Sequence, residues 1–353
     1  MVHTIHKISF LFLVLVLSGC GRDGPLLVNA SIDDLSNTLD RVAPKLMEKN
    51  DVVGLSVAVI RNNELALSRS FGYSSLESKK PISERTVYKA ASLGKPIFSY
   101  VVVSLAQQGK INLDVPLVSY DSAGVVNGDI RSGEVTARMV LSHTAGLPNL
   151  GGRSKPEFLF DPGKNFEYSG HGYQYLQGVI EAITHKSLNE LANEFVFEPL
   201  LMTDSSYVWR TEYENIISSS YGENKEAFKV NQEASVGYAA WSLYTTLGDY
   251  SKFVMHIMKS SKEDSSIASR LLESQVDVAK GVKWGMGWGI QDTMPNNSFW
   301  HWGSLAGFRH YVVGYPEEKV AIIVMSNSQK SFKMVDSVVV ESIGGSYPSY
   351  DWF

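Results

Sequence analysis

The chain has 353 residues, 44% of them hydrophobic and 20% charged, with a formal net charge of −5 and one cysteine. That length can bury a full core and fits one large catalytic unit or two average domains, so a disordered, collagenous or coiled-coil chain is excluded. One cysteine excludes an internal disulfide and a thiolate metal cluster, and the lack of a Lys/Arg-rich block argues against a nucleic-acid partner.

Residues 1–19 carry Lys7 and then the apolar run Ile8–Leu17. A spanning helix needs about twenty residues, so the shorter run reads as the hydrophobic part of a secretory signal. It ends in Leu17-Ser18-Gly19-Cys20, which resembles the lipobox of bacterial lipoproteins. The resemblance implies that Cys20 becomes the acylated first residue of the mature chain and ties a soluble domain to a lipid bilayer. Gly21 in place of Asp after that cysteine implies the outer membrane, facing the periplasm. Loss of residues 1–19 removes Lys7 alone among the Lys, Arg, Asp and Glu residues, which takes the net charge from −5 to −6.

Residues 20–30 read as a tether. Ile32, Leu35, Leu39, Val42 and Leu46 recur every three or four residues and predict a helix with one apolar face, opened by Ser31 with Asp34 and ending near Asn50. Gly54–Ile60 and Glu64–Gly72, joined through Arg61-Asn62-Asn63, predict a β-hairpin. Residues 86–280 read mainly as helix and loop, with helical spacing over Gly172–Thr184 and Leu247–Met258. Arg309–Gly314 and Lys319–Ser326 predict a second hairpin around Tyr315–Glu318. A last helix follows with Phe332, Val335, Val339 and Ile343 on one face, closed by Gly344-Gly345 before a tail at 346–353. Strands at both ends with helices between them predict an α/β chain of the α+β type. Its antiparallel sheet is assembled from 31–85 and 281–345 and flanked by helices, and the mainly helical subdomain 86–280 is inserted.

Chemistry enters at Ser92-Leu93-Gly94-Lys95, the one Ser-x-x-Lys in the chain. A helix starting near Ser92 places Lys95 one turn on, on the same face. Pro96 fits such a start, since the first turn leaves its missing N–H without consequence. A serine hydroxyl is a weak nucleophile until a neighbour takes its proton, and a lysine in a dry site can do so. Taken alone, this motif is an ordinary helix start. Three further segments accompany it: Leu141-Ser142-His143-Thr144-Ala145-Gly146-Leu147-Pro148, Phe166-Glu167-Tyr168-Ser169-Gly170-His171-Gly172-Tyr173, and His301-Trp302-Gly303-Ser304-Leu305-Ala306-Gly307 on a predicted strand.

In order and spacing these segments resemble the serine β-lactamase and penicillin-binding protein superfamily, in its class C-like branch of β-lactamase-related serine hydrolases. The resemblance covers most of the chain after residue 30 and includes the segment 237–254. It implies a β-lactamase/transpeptidase-like fold with Ser92 as the acylated nucleophile, Lys95 beside it and Tyr168 moving protons between serine, lysine and leaving group. A lysine neighbour is expected to lower the Tyr168 phenol, and whether Lys95 or Tyr168 takes the first proton stays open. His301-Trp302-Gly303 stands where the family has Lys-Thr-Gly, in its His-x-Gly form. Gly303 is expected to let substrate approach the strand, and the N–H groups of Ser92 and Ser304 to form an oxyanion hole. His301 is expected to hydrogen-bond Tyr168 or the substrate.

The family's Asn two residues after the tyrosine is Gly170 here, which weakens any claim to β-lactam or peptide specificity; His171 is one replacement to consider. His143 is expected to hold its loop by hydrogen bonds, Trp284, Trp288, Trp300 and Trp302 to pack core and edge, and Arg309 either to be exposed or to pair with a substrate carboxylate. No Gly-x-Ser-x-Gly or His-Glu-x-x-His is present, and no metal or cofactor is implied. The function expected is hydrolysis of an ester or amide bond through an acyl-enzyme, on a small ester, amide or peptidoglycan-derived substrate. The rival reading is a cell-wall-binding lipoprotein that keeps the fold with little or no turnover.

Overall fold

Asn62 and Asn63 take left-handed backbone, with φ of 52° and 62°. That is the geometry a two-residue turn needs between right-twisted strands, and it folds β1 (Gly54–Arg61) back on β2 (Glu64–Ser75). The structure, a computed structural model, describes residues 25–122, 124–126, 128–150, 156–228, 234–292 and 297–352. The signal run and Cys20 lie outside them.

Ahead of the hairpin, α1 spans Ile32–Lys49, with the Ser31 side chain accepting the Asp34 N–H. Its buried stripe is Leu35, Leu39, Ala43 and Met47, whereas Ile32 is exposed and Val42 and Leu46 are half-buried. The buried face is therefore rotated from the expected one: Leu35 and Leu39 are shared, and Ala43 and Met47 take the places expected of Val42 and Leu46.

After β2 come β3 (Lys80–Pro81), β4 (Val87–Ala91) and α2 (Gly94–Gln107), then α3 (Ala137–Leu141), α4 (Gly170–Thr184) and α5 (Leu188–Ala192). β5 (Leu243–Thr246) runs straight into α6 (Leu247–Ser260), followed by α7 (Ile267–Leu272). The chain closes with β6 (Val276–Ala279), β7 (Val282–Trp284), β8 (Gly289–Gln291), β9 (Ser298–Leu305), β10 (Phe308–Tyr315), β11 (Val320–Ser326), α8 (Phe332–Ile343) and α9 (Ser349–Trp352).

Among the described residues, nine strands form one antiparallel sheet in the order β3-β2-β1-β11-β10-β9-β8-β7-β6, so the first hairpin pairs with β11 near the other end of the chain. Every residue of β1 and of β11 is buried, which means both sheet faces are covered. One face, with Val57, Val59, Ile322 and Val324, packs on Leu39 of α1 and Val335 and Val339 of α8. The other, with Ala58, Ile60, Ile323 and Met325, packs in the larger core with α2, α4 and α6. Helix α2 is apolar almost all round (Ile97, Phe98, Val101, Val102 and Leu105 are buried) and forms the centre of that layer.

Two parts of the fold depart from expectation. Within the mainly helical stretch, β4 and β5 pair as a separate two-stranded ribbon. Part of the tether is bound: Leu26 bridges to Gly344, the Leu27 N–H donates to Ile343 O at 2.8 Å, and Arg61 donates to Leu27 O at 2.9 Å.

Candidate active site

Ala91 ends β4 with φ of 53°, a left-handed conformation that turns the chain sharply into α2. Ser92 sits in that turn, half-exposed, and Lys95 follows one helical turn later. The Lys95 side chain is buried; its Nζ donates to Ser92 Oγ at 3.1 Å and to the Ala240 carbonyl at 2.8 Å. Neither partner carries charge. Burial brings the Lys95 ammonium down from the ordinary lysine value to about 7. Near neutrality the amine can therefore keep one N–H on Ala240 and turn its lone pair to the Ser92 hydroxyl. Sequence gave no signal for the Ala240 carbonyl, since any residue could supply it. Gln177 of α4 fixes the segment that carries it, donating to Gly237 O at 2.7 Å and accepting from the Ala239 N–H at 2.8 Å.

Tyr168 lies directly before α4. Lys95 Nζ is 4.8 Å from the centre of its ring and 5.6 Å from that of Tyr173. The Tyr168 hydroxyl is buried and lies beside Ser92, short of a well-formed hydrogen bond. Burial pushes the phenol well up, with the Ser92 hydroxyl offsetting only part of the rise. This reverses the expected lowering by a lysine: desolvation outweighs the neighbouring amine. The group poised near neutrality is Lys95, and Tyr168 is a proton donor at rest.

The third wall is β9. Of β9, Ser298–Trp300 pair with β8, and the strand beyond them approaches β4. A Cβ at Gly303 would lie 2.4 Å from Ala90 O and 3.4 Å from Leu93 Cγ, so glycine is what lets the two strands meet. Ser304, exposed, and Ser92, the two expected N–H donors, stand on the segments that Gly303 brings together. His310 of β10 adds a tie to β4, its Nε2–H donating to Lys89 O at 2.9 Å. His301 is buried with its Nδ1–H on Trp302 O at 2.7 Å, which leaves Nε2 as an acceptor without a partner. Burial, with Lys95 adding to it, holds the imidazole down at about 3, so it is neutral at ordinary pH. Its ring centre is 6.1 Å from that of Tyr168, and no His301–Tyr168 hydrogen bond forms.

Other candidates fall outside the cluster. Arg309 does not reach Ser92: it alternates with Phe308 and His310, donates to Phe308 O at 2.7 Å and lies 5.6 Å above the Phe332 ring, on the face covered by α1 and α8. His171 lines a depression with Asp121, Gln174 and Tyr175 and does not stand in for the missing Asn. That place is filled by the loop, since a Cβ on Gly170 would lie 2.5 Å from Leu150 Cγ and 3.0 Å from Asn149 Oδ1, which accepts the Gly170 N–H at 3.1 Å. Trp284, Trp288 and Trp300 are fully buried. Trp302 is half-buried and packs on Tyr168 at 4.7 Å and on Trp352 of α9 at 5.6 Å.

The Beta-lactamase family matches residues 39–339. The chain belongs to the beta-lactamase family. Protein flp of Staphylococcus aureus (strain N315) is 21% identical over 85% of this chain and 64% of its own length, so the chain spans less than two thirds of that relative. Among solved structures, a class C beta lactamase superposes with a TM-score of 0.79 at 19% identity, over 89% of this chain and 98% of the other. The octameric penicillin-binding protein homologue from Pyrococcus abyssi gives 0.74 at 22% identity, over 86% and 77%. This beta-lactamase family member therefore has the mixed helix-and-sheet fold expected, with the antiparallel sheet and flanking helices of those structures. Members of the superfamily are serine hydrolases.

Proposed function

We propose that the chain is a serine hydrolase that cleaves esters or amides through an acyl-Ser92 intermediate, with uncharged esters preferred. The observation that carries this is a buried Lys95 held near neutrality 3.1 Å from Ser92 Oγ. In the proposed reaction Ser92 Oγ attacks the carbonyl carbon and its proton passes to the Lys95 amine. The Ser92 and Ser304 N–H groups hold the oxyanion, and the Tyr168 phenol hands a proton to the leaving group and recovers one from Lys95. Water then attacks the acyl-serine and gives a proton to Lys95, which passes it to the departing Ser92 Oγ as the acid is released.

The preference for uncharged substrates rests on charge. Where the family has a lysine, His301 is neutral; Arg309 lies on the other face of the sheet; and the Asn149–Leu150 loop occupies the space next to Gly170. A D-alanyl peptide or a β-lactam brings a carboxylate for which these groups offer no counter-charge. p-Nitrophenyl esters, D-amino acid amides and nitrocefin should be compared for intact protein and Ser92→Ala. Ester turnover is expected at least ~10³-fold above the Ser92→Ala background. Equal rates for the two proteins would instead support the cell-wall-binding reading.

The same reading has Cys20 acylated and the chain anchored in the outer membrane, facing the periplasm. No helix of the described residues is long and apolar enough to cross a membrane. Cys20→Ser is expected to move the protein from the membrane pellet to the soluble fraction. Retention in the pellet would remove Cys20 as the anchor.

A further inference from the structure

His143 follows α3 with φ of 59°, a left-handed backbone that a non-glycine residue adopts only when its surroundings hold it there. It is fully buried. Its carbonyl accepts the Glu167 N–H at 2.9 Å, and its Nδ1 accepts the Ser169 N–H at 3.0 Å. These two bonds bracket Tyr168 on either side along the chain. The imidazole lies between two phenol rings, 4.3 Å from the centre of Tyr168 and 5.1 Å from that of Tyr173. Because Nδ1 accepts, the ring proton is on Nε2, and that nitrogen has no partner. Burial, with the nearby Lys95 and then His301 acting in the same direction, keeps the imidazole uncharged. The titratable groups facing it are Lys95, His301, Tyr168 and Tyr173, and the apolar rings of Trp284 and Phe166 complete its surroundings.

We propose that His143 is the positioning residue of Tyr168: its carbonyl and Nδ1 fix the backbone on both sides of the tyrosine, and its ring sets the tilt of the phenol against Lys95. The hydrogen bonds expected to hold the His143 loop run to the neighbouring segment, the one that presents the proton donor. Its effect is therefore on proton transfer during acylation and should pass through the Tyr168 hydroxyl. This inference rests on the hydrolase reading above.

The test is a double-mutant cycle of His143→Asn with Tyr168→Phe, read as kcat and KM on a p-nitrophenyl ester. Rates are normalised to the fraction of sites labelled by a fluorophosphonate. Asn tolerates the left-handed backbone, and its Oδ1 can accept the Ser169 N–H, but it offers no ring to stack on Tyr168. His143→Asn is expected to lower kcat about tenfold with KM within about threefold, and to have less than a twofold effect once Tyr168 is Phe. His143→Leu, which also loses the acceptor, is expected to fall further. An equal fold-loss in both backgrounds, or an unchanged kcat per labelled site, would overturn the proposal. Where the unsubstituted protein itself fails to label or turn over, the hydrolase reading fails instead.

Discussion

Lys95→Met is expected to lower ester turnover by ~10³-fold or more and, at the same time, to raise the melting temperature. The first effect follows from the 3.1 Å approach of Nζ to Ser92 Oγ: without the amine, the serine has no base within reach. The second follows from burial. Holding this side chain at about 7, below the ordinary value of 10.5, disfavours its charged form by roughly 5 kcal/mol at neutral pH and below. A methionine fills a similar channel with no charge to desolvate, and its gain is reduced by the lost bond to Ala240. The sign with pH is fixed by linkage. Between about 7 and 10.5 the unfolded chain keeps a proton on this lysine that the folded chain lacks, so native stability rises with pH over that window. Melting curves of the two proteins at several pH values should show the advantage of the Met variant shrinking from pH 7 to pH 10. A gap that stays constant would mean that Lys95 is not depressed. In the unsubstituted enzyme the acylation rate should climb through about pH 7 as Lys95 loses its proton.

Gly303→Val is expected to cost ~10²–10³-fold in kcat while leaving the protein folded. A Cβ there would meet Ala90 O at 2.4 Å, and that obstacle is backbone of the strand leading into Ser92, which cannot swing aside as a side chain would. The relief open to the structure is for β9 to move away from β4, which separates Ser304 from Ser92. The pairing of β9 with β10 over Gly314–Phe308 remains, so the sheet itself should survive. Gly303→Ala should fall between glycine and valine. Kinetics with circular dichroism on both variants check this, and full activity in the Val variant would show that the approach of β9 to β4 does not matter for the reaction.

Much of the site is visible in the sequence because it is local. Ser92 and Lys95 are separated by one helical turn, and Pro96 marks where that helix begins. The terminal hairpins are equally plain, as the Asn62-Asn63 turn and the two apolar runs on either side of Tyr315–Glu318 need only neighbouring residues. What sequence does not display depends on distant contacts. β4 and β5 are short, buried and about 150 residues apart, so neither carries a pattern of its own. Arg309 was ambiguous because both faces of the sheet are covered by apolar layers, and period-two alternation cannot say which of them holds the site. The tail reads as irregular because a four-residue helix has no intrinsic stability; Trp352 is held by Trp302, Trp284 and Phe166. The raised pKa of Tyr168 is hidden from sequence for a related reason. A lysine neighbour can be inferred from a motif, whereas the burial that outweighs it comes from the whole fold.

The most direct measurement is the mass of the Ser92-containing peptide after brief reaction with a p-nitrophenyl ester and acid quench. An increase equal to the acyl group on Ser92, transient in the unsubstituted protein, more persistent in Tyr168→Phe and absent in Ser92→Ala, is the expected result. Ester turnover with no acyl mass on that peptide, or the same adduct in Ser92→Ala, would contradict it.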